Sequence, residues 1–272
     1  MPKTEQAQSQ ELTKKTEAKL PAKIDLESYA GQGSEFVSAN DQKLPILKIL
    51  YANSPVLDES DGKYIETAKP GDIYSETSGT LWKGKDGILV VPCLYINTYN
   101  EWKDRGDSPG RPVGIHTDPA IMAKTNRGDD NKDRLENGNY VEDTGNHFVY
   151  ILDKNYQPVE QALITMKSTQ KKKSKTWNTM IGTRRKQGKK TMFNPPRWST
   201  VYRLKTTKES NSQNSWYGWV VEFDKFLDET KDNKLLQTTH SFYESAMKSD
   251  IFGKVDFVEE KQQMKKADGV PF

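Results

Sequence analysis

The sequence predicts a mainly β fold with a minor α content, in the form of a small barrel or a sandwich. Five or six short segments are rich in β-branched and aromatic residues, whereas only two have helical periodicity, and one of these follows the last strand. The strands do not alternate with helices, which disfavours a βαβ sheet. Because only 33% of the 272 residues are hydrophobic, we expect one domain flanked by unpacked segments.

The composition divides the chain into three parts. Residues 1–33 are mainly Lys, Glu, Gln, Ala and Ser with scattered apolar positions, which predicts a disordered N-terminal arm. The packed segments that follow predict a domain over residues 34–256. Residues 257–272 are polar up to an apolar tip, which predicts a flexible C-terminal tail.

The first half of the domain contains three candidate elements. Residues 44–50 form the first packed element, although their spacing leaves helix and strand open, and residues 72–75 are typical of a strand. Residues 87–99 are the strongest β segment of the chain. Pro92 within it predicts a bulge or an edge position, because proline donates no hydrogen bond to a ladder.

A long loop and a hairpin come next. Residues 103–145 show no periodicity and are rich in Gly, Asp, Asn and Pro, which predicts a large loop insertion that is either functional or disordered. Residues 147–152 and 159–166 are apolar runs separated by a polar turn. This pattern predicts a β-hairpin.

The second half of the domain contains both predicted helices. Residues 168–181 predict a short basic helix that ends at Gly182. Residues 199–206 and 215–223 predict two strands joined by a polar turn. Residues 233–249 place apolar side chains on one helical face, which predicts the C-terminal helix.

Several classes of protein are excluded by composition. No stretch approaches the roughly 20 apolar residues of a membrane-spanning helix, and the first residues lack the apolar core of a signal peptide. The single cysteine, Cys93, allows neither an intramolecular disulfide nor a cysteine-cluster zinc site, and its apolar strand predicts a core position. We therefore expect a cytoplasmic protein without membrane contact.

The charges are strongly segregated along the chain. Residues 167–205, called the basic band below, contain thirteen Lys and Arg and no Asp or Glu. The rest of the chain has 28 basic and 38 acidic residues, so the net charge of +3 hides an acidic protein with one basic segment. Such a segment attracts a polyanion independently of its sequence.

Aromatic residues are interleaved with these charges, and four of the six tryptophans lie between residues 177 and 219. Single-stranded nucleic acid requires this mixture, because cations follow the phosphates while exposed bases stack on aromatic rings. In the segment 216–221, strand alternation leaves one face for the core and the other for a stacking platform. The candidate nucleic-acid-binding residues are Lys167, Lys171, Lys172, Lys173, Lys175, Trp177, Arg184, Arg185, Lys186, Lys189, Lys190, Arg197, Trp198, Tyr202, Arg203, Trp216 and Trp219.

The C-terminal tip is a candidate peptide ligand. Asp268, Val270, Pro271 and Phe272 place an apolar ring beside the terminal carboxylate, a combination that a partner can bind with an apolar pocket and a basic side chain. The tip resembles the Asp-rich, Pro-Phe-ending tails of bacterial single-stranded-DNA-binding proteins, although it has one acid in its last six residues. The resemblance implies recruitment of replication or recombination enzymes.

The body resembles phage-encoded single-stranded-DNA-binding proteins. The resemblance lies in residues 63–73, in 90–92 leading to Glu101-Trp102, and in 168–173 with Trp177-Asn178. It implies an OB-like barrel that binds single-stranded DNA without strong sequence preference and coats replication intermediates in the cytoplasm of the host cell. The segments that carry the resemblance are not a catalytic signature.

Catalytic and metal motifs are mostly incomplete. Residues 182–189 have the wrong glycine spacing for a phosphate-binding loop, and residues 129–140 lack the glycine and the glutamate of a calcium loop. Asp72 or Asp86 followed by Glu101-Trp102-Lys103 matches the order of metal-dependent nucleases. Because Asp and Glu-x-Lys occur by chance in most charged sequences, we expect no enzyme activity, cofactor or metal. A metal-dependent nuclease and a recombination strand-annealing protein are the alternatives. The sequence does not predict an oligomeric state.

Overall fold

A computed structural model describes residues 25–37, 43–104, 106, 110–212 and 214–248. The chain divides into two compact units, residues 1–42 and residues 43–272. In the first unit the described residues contain one turn of 3-10 helix at Leu26–Tyr29. Residues 1–24 of the predicted arm lie outside the described residues, as does the predicted tail at 257–272.

The second unit is built on one large sheet. Its strands are β1 Ile46–Ile49, β2 Ile73–Ser75, β3 Leu81–Trp82, β4 Ile88–Trp102, β5 Gly114–His116, β6 Asn126–Arg127, β7 Asp133–Arg134, β8 Tyr140–Leu152, β9 Pro158–Met166, β12 Thr200–Ser210 and β13 Ser215–Phe226. A separate two-stranded ribbon consists of β10 Lys186–Gln187 and β11 Met192–Phe193. The helices are α1 Lys171–Thr183 and α2 Asn233–Lys248, with 3-10 turns at Pro55–Leu57, Pro119–Lys124, Ser168–Gln170 and Arg197–Ser199.

The sheet confirms the mainly β class with a C-terminal helix, and it takes the form of a curled half-barrel. Its strand order is β13-β12-β4-β8-β9-β1-β2-β3, with β5 beside β4, β7 beside β8 and β6 beside β7. Neighbouring strands are antiparallel except β1 and β9, where Ile46 pairs with Leu163 in a parallel register. Residues 44–50, left open between helix and strand, thus contain a strand.

Strand β4 explains the long apolar run in the sequence. It lies between β8 and β12, and nearly all of its first half is buried on both faces, so apolar residues occupy successive positions. The register with β8 shifts between Pro92 and Leu94, which confirms the predicted bulge. Pairing of β4 with β12 extends only to Val90, so Pro92 has no ladder partner there that requires an N–H.

A helix covers each face of the sheet. Trp177 and Ile181 of α1 pack on one face with residues such as Val90 and Tyr202. On the opposite face, Leu235 and Phe242 of α2 pack in a second cluster that includes Val91, Cys93 and Phe148. None of the helices in the described residues is long and apolar enough to cross a membrane.

The predicted loop insertion at 103–145 contains more regular structure than expected. Strand β5 pairs with β4, β7 pairs with β8, and β8 itself begins at Tyr140. These short strands lack the periodicity that reveals a strand in a sequence, because they pair at the sheet margin and bury few side chains. Polar contacts hold them, among them ion pairs of Arg134 with Asp104 and Asp130.

Candidate nucleic-acid interface

Helix α1 presents a basic outer face. Ser174, Trp177 and Ile181 are buried against the sheet. Lys172 and Lys175 lie on the exposed side of the helix. Neither ammonium forms an ion pair with an acidic side chain of the described residues. The helix therefore keeps two uncompensated charges toward solvent.

The ribbon β10–β11 extends this basic character beyond the end of α1. Arg185 precedes the ribbon and Lys189 and Lys190 lie in its turn; all three are exposed and have no acidic partner in the described part of the chain. The Asn194 side chain donates a hydrogen bond to the Gly182 carbonyl at 3.2 Å, which ties the ribbon to the C-terminal end of α1. We call Lys172, Lys175, Arg185, Lys189 and Lys190 the basic surface.

The ribbon also exposes apolar side chains beside its charges. Met192 is 54% exposed and Phe193 is 36% exposed. Phe193 belongs to the basic band but was not among the predicted binding residues, because a sequence does not show which aromatic residue of a segment stays at the surface. An exposed ring among cations is a suitable stacking partner for an unpaired base.

Six of the thirteen cations of the basic band form ion pairs with acids from elsewhere in the chain. Glu142 and Asp143 of β8, Glu209 of β12, and Glu222 and Asp224 of β13 approach the band. The ion pairs are Lys167–Glu142 at 3.0 Å, Lys171–Asp143, Lys173–Glu209 at 2.5 Å, Lys186–Glu229 at 3.8 Å, Arg203–Asp224 at 3.9 Å and Lys205–Glu222 at 2.8 Å. The segregation along the sequence is thus partly removed by folding.

Two arginines of the band are packed into the structure. The guanidinium of Arg197 is largely buried, donates to the Asn178 side-chain oxygen at 2.7 Å and lies over the Tyr95 ring, and its burial lowers its pKa to about 10. Arg184 lies 3.6 Å from the centre of the Phe223 ring. Both cations therefore contact aromatic rings of the protein, which leaves them poorly placed for a phosphate.

Three predicted stacking residues are core residues. Trp177 and Tyr202 have no exposed surface and Trp219 is 3% exposed. Trp177 and Tyr202 meet edge to face at 5.8 Å between ring centres. The expectation that these rings stack on bases is corrected, because a base cannot reach a ring that is enclosed by other side chains.

Trp198 is half-buried in an apolar groove between the ribbon and α2. Its ring lies 4.7 Å from the His240 ring, and its carbonyl accepts a hydrogen bond from Thr239 of α2 at 3.0 Å. The groove, with a volume of about 570 Å³, is also lined by Phe193 and Leu236. These contacts fix Trp198 mainly as a packing residue.

Trp216, like Trp198, is a predicted aromatic residue that is not fully buried. It is half-buried on β13, and its indole N–H donates to Glu209 at 3.0 Å, while Glu209 also pairs with Lys173. A side chain at Gly218 would meet the Glu209 carboxylate at 2.7 Å, so glycine makes room for this carboxylate. Tyr217 and Trp219, on either side of Gly218, face the core, as alternation along the strand requires.

A cavity of about 860 Å³ lies beside Trp216, at the start of β13. We call it the β13 cavity. It is bounded by β1, the end of β4, the 3-10 turn before α1 and the hairpin β12–β13. Its lining includes Lys167, Trp216 and Trp219 from the predicted set. It could not be predicted from the sequence, because its walls come from segments far apart in the chain.

The residues of the nuclease alternative do not form a metal centre. Asp72 is buried and accepts from Lys83 at 2.8 Å, whereas Glu101 contacts His116 at 3.0 Å and accepts from Asn139 at 2.5 Å. Burial raises the pKa of Glu101, but the hydrogen bonds outweigh it and the net pKa is lowered. Among the described residues, no group of three or more His, Cys, Asp or Glu could hold a metal ion.

The predicted partner-binding residues Asp268, Val270, Pro271 and Phe272 lie outside the described residues.

Comparison with known proteins identifies the class of this mainly β chain, which is a phage protein. Residues 13–251 match the family described as Pam3 phage gp34-like protein, and the chain belongs to that family. No curated protein and no solved structure matches the chain.

Proposed function

We propose that this phage protein binds single-stranded DNA without strong sequence preference. The observation that carries the proposal is the basic surface, five exposed cations on α1 and beside the ribbon that have no acidic partner among the described residues. Unpaired cations keep their charge available for phosphates, and each phosphate that they neutralise releases counterions. The paired lysines of the band contribute less, because a polyanion must displace their carboxylates.

The preference for single strands rests on the aromatic side chains near these cations. Phe193 is exposed on the ribbon, and Trp216 is half-buried with its ring fixed by Glu209. A duplex hides its base faces, whereas a single strand can stack them on such rings at roughly 1 to 3 kcal/mol per base. The proposal therefore includes protection of single-stranded replication or recombination intermediates.

The C-terminal tip completes the proposed function. Its apolar Val-Pro-Phe end and terminal carboxylate have the chemistry of a peptide ligand. We place the recruitment of replication or recombination enzymes there, in the cytoplasm of the host cell. This part of the proposal is supported by the residues of the tip.

The test is a binding titration with one labelled oligonucleotide as single-stranded DNA, duplex DNA and RNA. The expected result is tightest binding to single-stranded DNA, with an affinity that falls as salt increases. Equal binding to the duplex would reject the single-strand preference. A parallel sample with Mg²⁺ tests for cleavage, which would instead support the nuclease, and DNA-dependent oligomers would support strand annealing.

A further inference from the structure

The β13 cavity has the size of a small-molecule site and an unusual lining. Its volume of about 860 Å³ falls within the roughly 300–1,000 Å³ of ligand pockets. No Asp or Glu is among its lining residues, although Glu and Asp are frequent in the rest of the chain. A cavity without acids in an otherwise acidic protein favours an anionic ligand.

Three lysines supply the positive charge of the cavity: Lys48, Lys167 and Lys208. Lys48 pairs with Glu76 at 3.0 Å and Lys167 pairs with Glu142 at 3.0 Å. Lys208 is exposed and has no acidic partner in the described part of the chain. Lys208 is therefore the cation that a phosphate could bind without displacing a carboxylate.

Aromatic rings supply the second half of the lining. Tyr51, Trp216 and Tyr217 are half-buried at the cavity, and Trp102 and Trp219 are buried in its wall. Tyr217 is the cross-strand partner of Lys208, so both side chains lie on the same face of the β12–β13 hairpin. The Tyr217 ring packs directly on Gly71, so it does not need to be ordered by a ligand. Preordered rings lower the entropic cost of binding a flat molecule.

The wall also contains polar groups whose hydrogen bonds are incomplete. The Asn100 side-chain oxygen and the Trp102 indole N–H are buried and have no hydrogen-bond partner among the described residues. They are an acceptor and a donor two residues apart on the same face of β4. Buried polar groups are rarely left unpaired, so this part of the cavity wall is not fully satisfied by the protein itself.

We infer that the β13 cavity binds one nucleotide unit, with the base against Tyr217 and the phosphate near Lys208. The lysines favour an anionic ligand, and the aromatic rings favour a flat one. The volume of the cavity fits a single nucleotide unit. The nucleotide is either free or one unit of a bound strand. Binding of one unit of a strand rests on the proposed function, whereas binding of a free nucleotide does not.

The experiment titrates the full chain with deoxythymidine 5′-monophosphate in a calorimeter, with inorganic phosphate and thymidine as separate probes. The nucleotide should bind more tightly than either fragment. Y217A should weaken nucleotide binding about 5- to 160-fold, the loss expected for one stacked base, whereas Y217F should retain most of it. K208A should weaken binding, whereas the matched exposed-lysine control K154A should not.

The outcomes separate the cavity from the proposed function. Nucleotide binding that Y217A and K208A reduce, in variants that remain folded, supports the inference. Competition by the nucleotide against a labelled single strand identifies the strand as its source. Nucleotide binding without strand binding keeps the cavity and rejects the proposed function. Absence of nucleotide binding, or binding indifferent to Y217A, overturns the inference even if single strands bind.

Discussion

The Trp177 indole of α1 stacks on the His147 imidazole of β8, with ring centres 4.4 Å apart and planes inclined by 18°. Both side chains are fully buried, and the His147 Nε2 atom lies 2.8 Å from the hydroxyl oxygen of Ser174 on the same helix. One residue of the sheet thus contacts two successive turns of α1. The position of the helix, and of the cations on its outer face, depends on this contact.

Replacement of Trp177 by Ala should destabilise the protein without removing a base contact. The loss of a fully buried indole is expected to lower the free energy of unfolding by about 3 to 5 kcal/mol. Denaturant unfolding measures this loss, and oligonucleotide titration of the remaining folded protein should give the wild-type affinity. A variant of native stability that fails to bind single strands would contradict the core assignment.

Stability should fall when the pH drops below about 6.5, because the folded protein keeps His147 neutral. Burial, with the nearby Arg197 and Lys171 cations, holds the His147 pKa well below its ordinary value. The unfolded chain therefore binds a proton that the folded chain does not, which costs about 1.4 kcal/mol per pH unit. Between pH 6.5 and 5, before most carboxylates titrate, H147Q should show a flatter decline in denaturant unfolding.

Removal of Lys172 and Lys175 should weaken single-strand binding and its salt dependence. The log–log slope with salt should become shallower by about 0.7 for each phosphate contact that is lost. Lys124 and Lys154 are exposed lysines outside α1 and the ribbon, and their double Ala variant is the matched control. A slope that is unchanged in the first variant would remove α1 from the interface.

The Cys93 thiol should be inert in the folded protein. Burial raises its pKa far above the ordinary value, and only the thiolate reacts readily. A thiol reagent at mildly alkaline pH should leave the native chain unmodified and label it once in denaturant, because Cys93 is the single cysteine. Rapid labelling under native conditions would show that the core around β4 opens.

Deletion of residues 269–272 should separate recruitment from DNA binding. The melting temperature and the single-strand affinity should stay at wild-type values, because the proposed DNA contacts lie in the described domain. A pull-down from host lysate should lose specific partners, and F272A should reproduce the loss if the ring is the recognised group. Identical partner profiles would reject the recruitment role.

The sequence was sufficient for elements that are defined by local patterns. The bulge at Pro92 follows from the chemistry of one residue, and α2 follows from apolar spacing over four turns. The long strands β9, β12 and β13 are detectable because they bury alternate or successive side chains. The short strands β5 to β7 are not, because their hydrogen bonds need no particular side chains.

The candidate site was only partly predictable, for a different reason. The thirteen cations of the basic band are adjacent in sequence, but the carboxylates that neutralise Lys167, Lys171 and Lys173 come from β8 and β12. Which lysines stay unpaired is therefore decided by strand pairing. The burial of Trp177 and the exposure of Phe193 likewise depend on which face of each element meets the sheet.

The parallel pairing of β1 with β9 constrains when the fold can be completed. Ile46 of β1 pairs with Leu163 of β9. During synthesis, most of the sheet is therefore made before the partner strand of β1 is available. Closure of so long a segment is entropically costly, and contacts of this kind slow folding. The antiparallel strands from β4 to β9 can pair earlier with near neighbours. We therefore expect β1, β2 and β3 to join a preformed central sheet late, which leaves the edge of β9 open during synthesis.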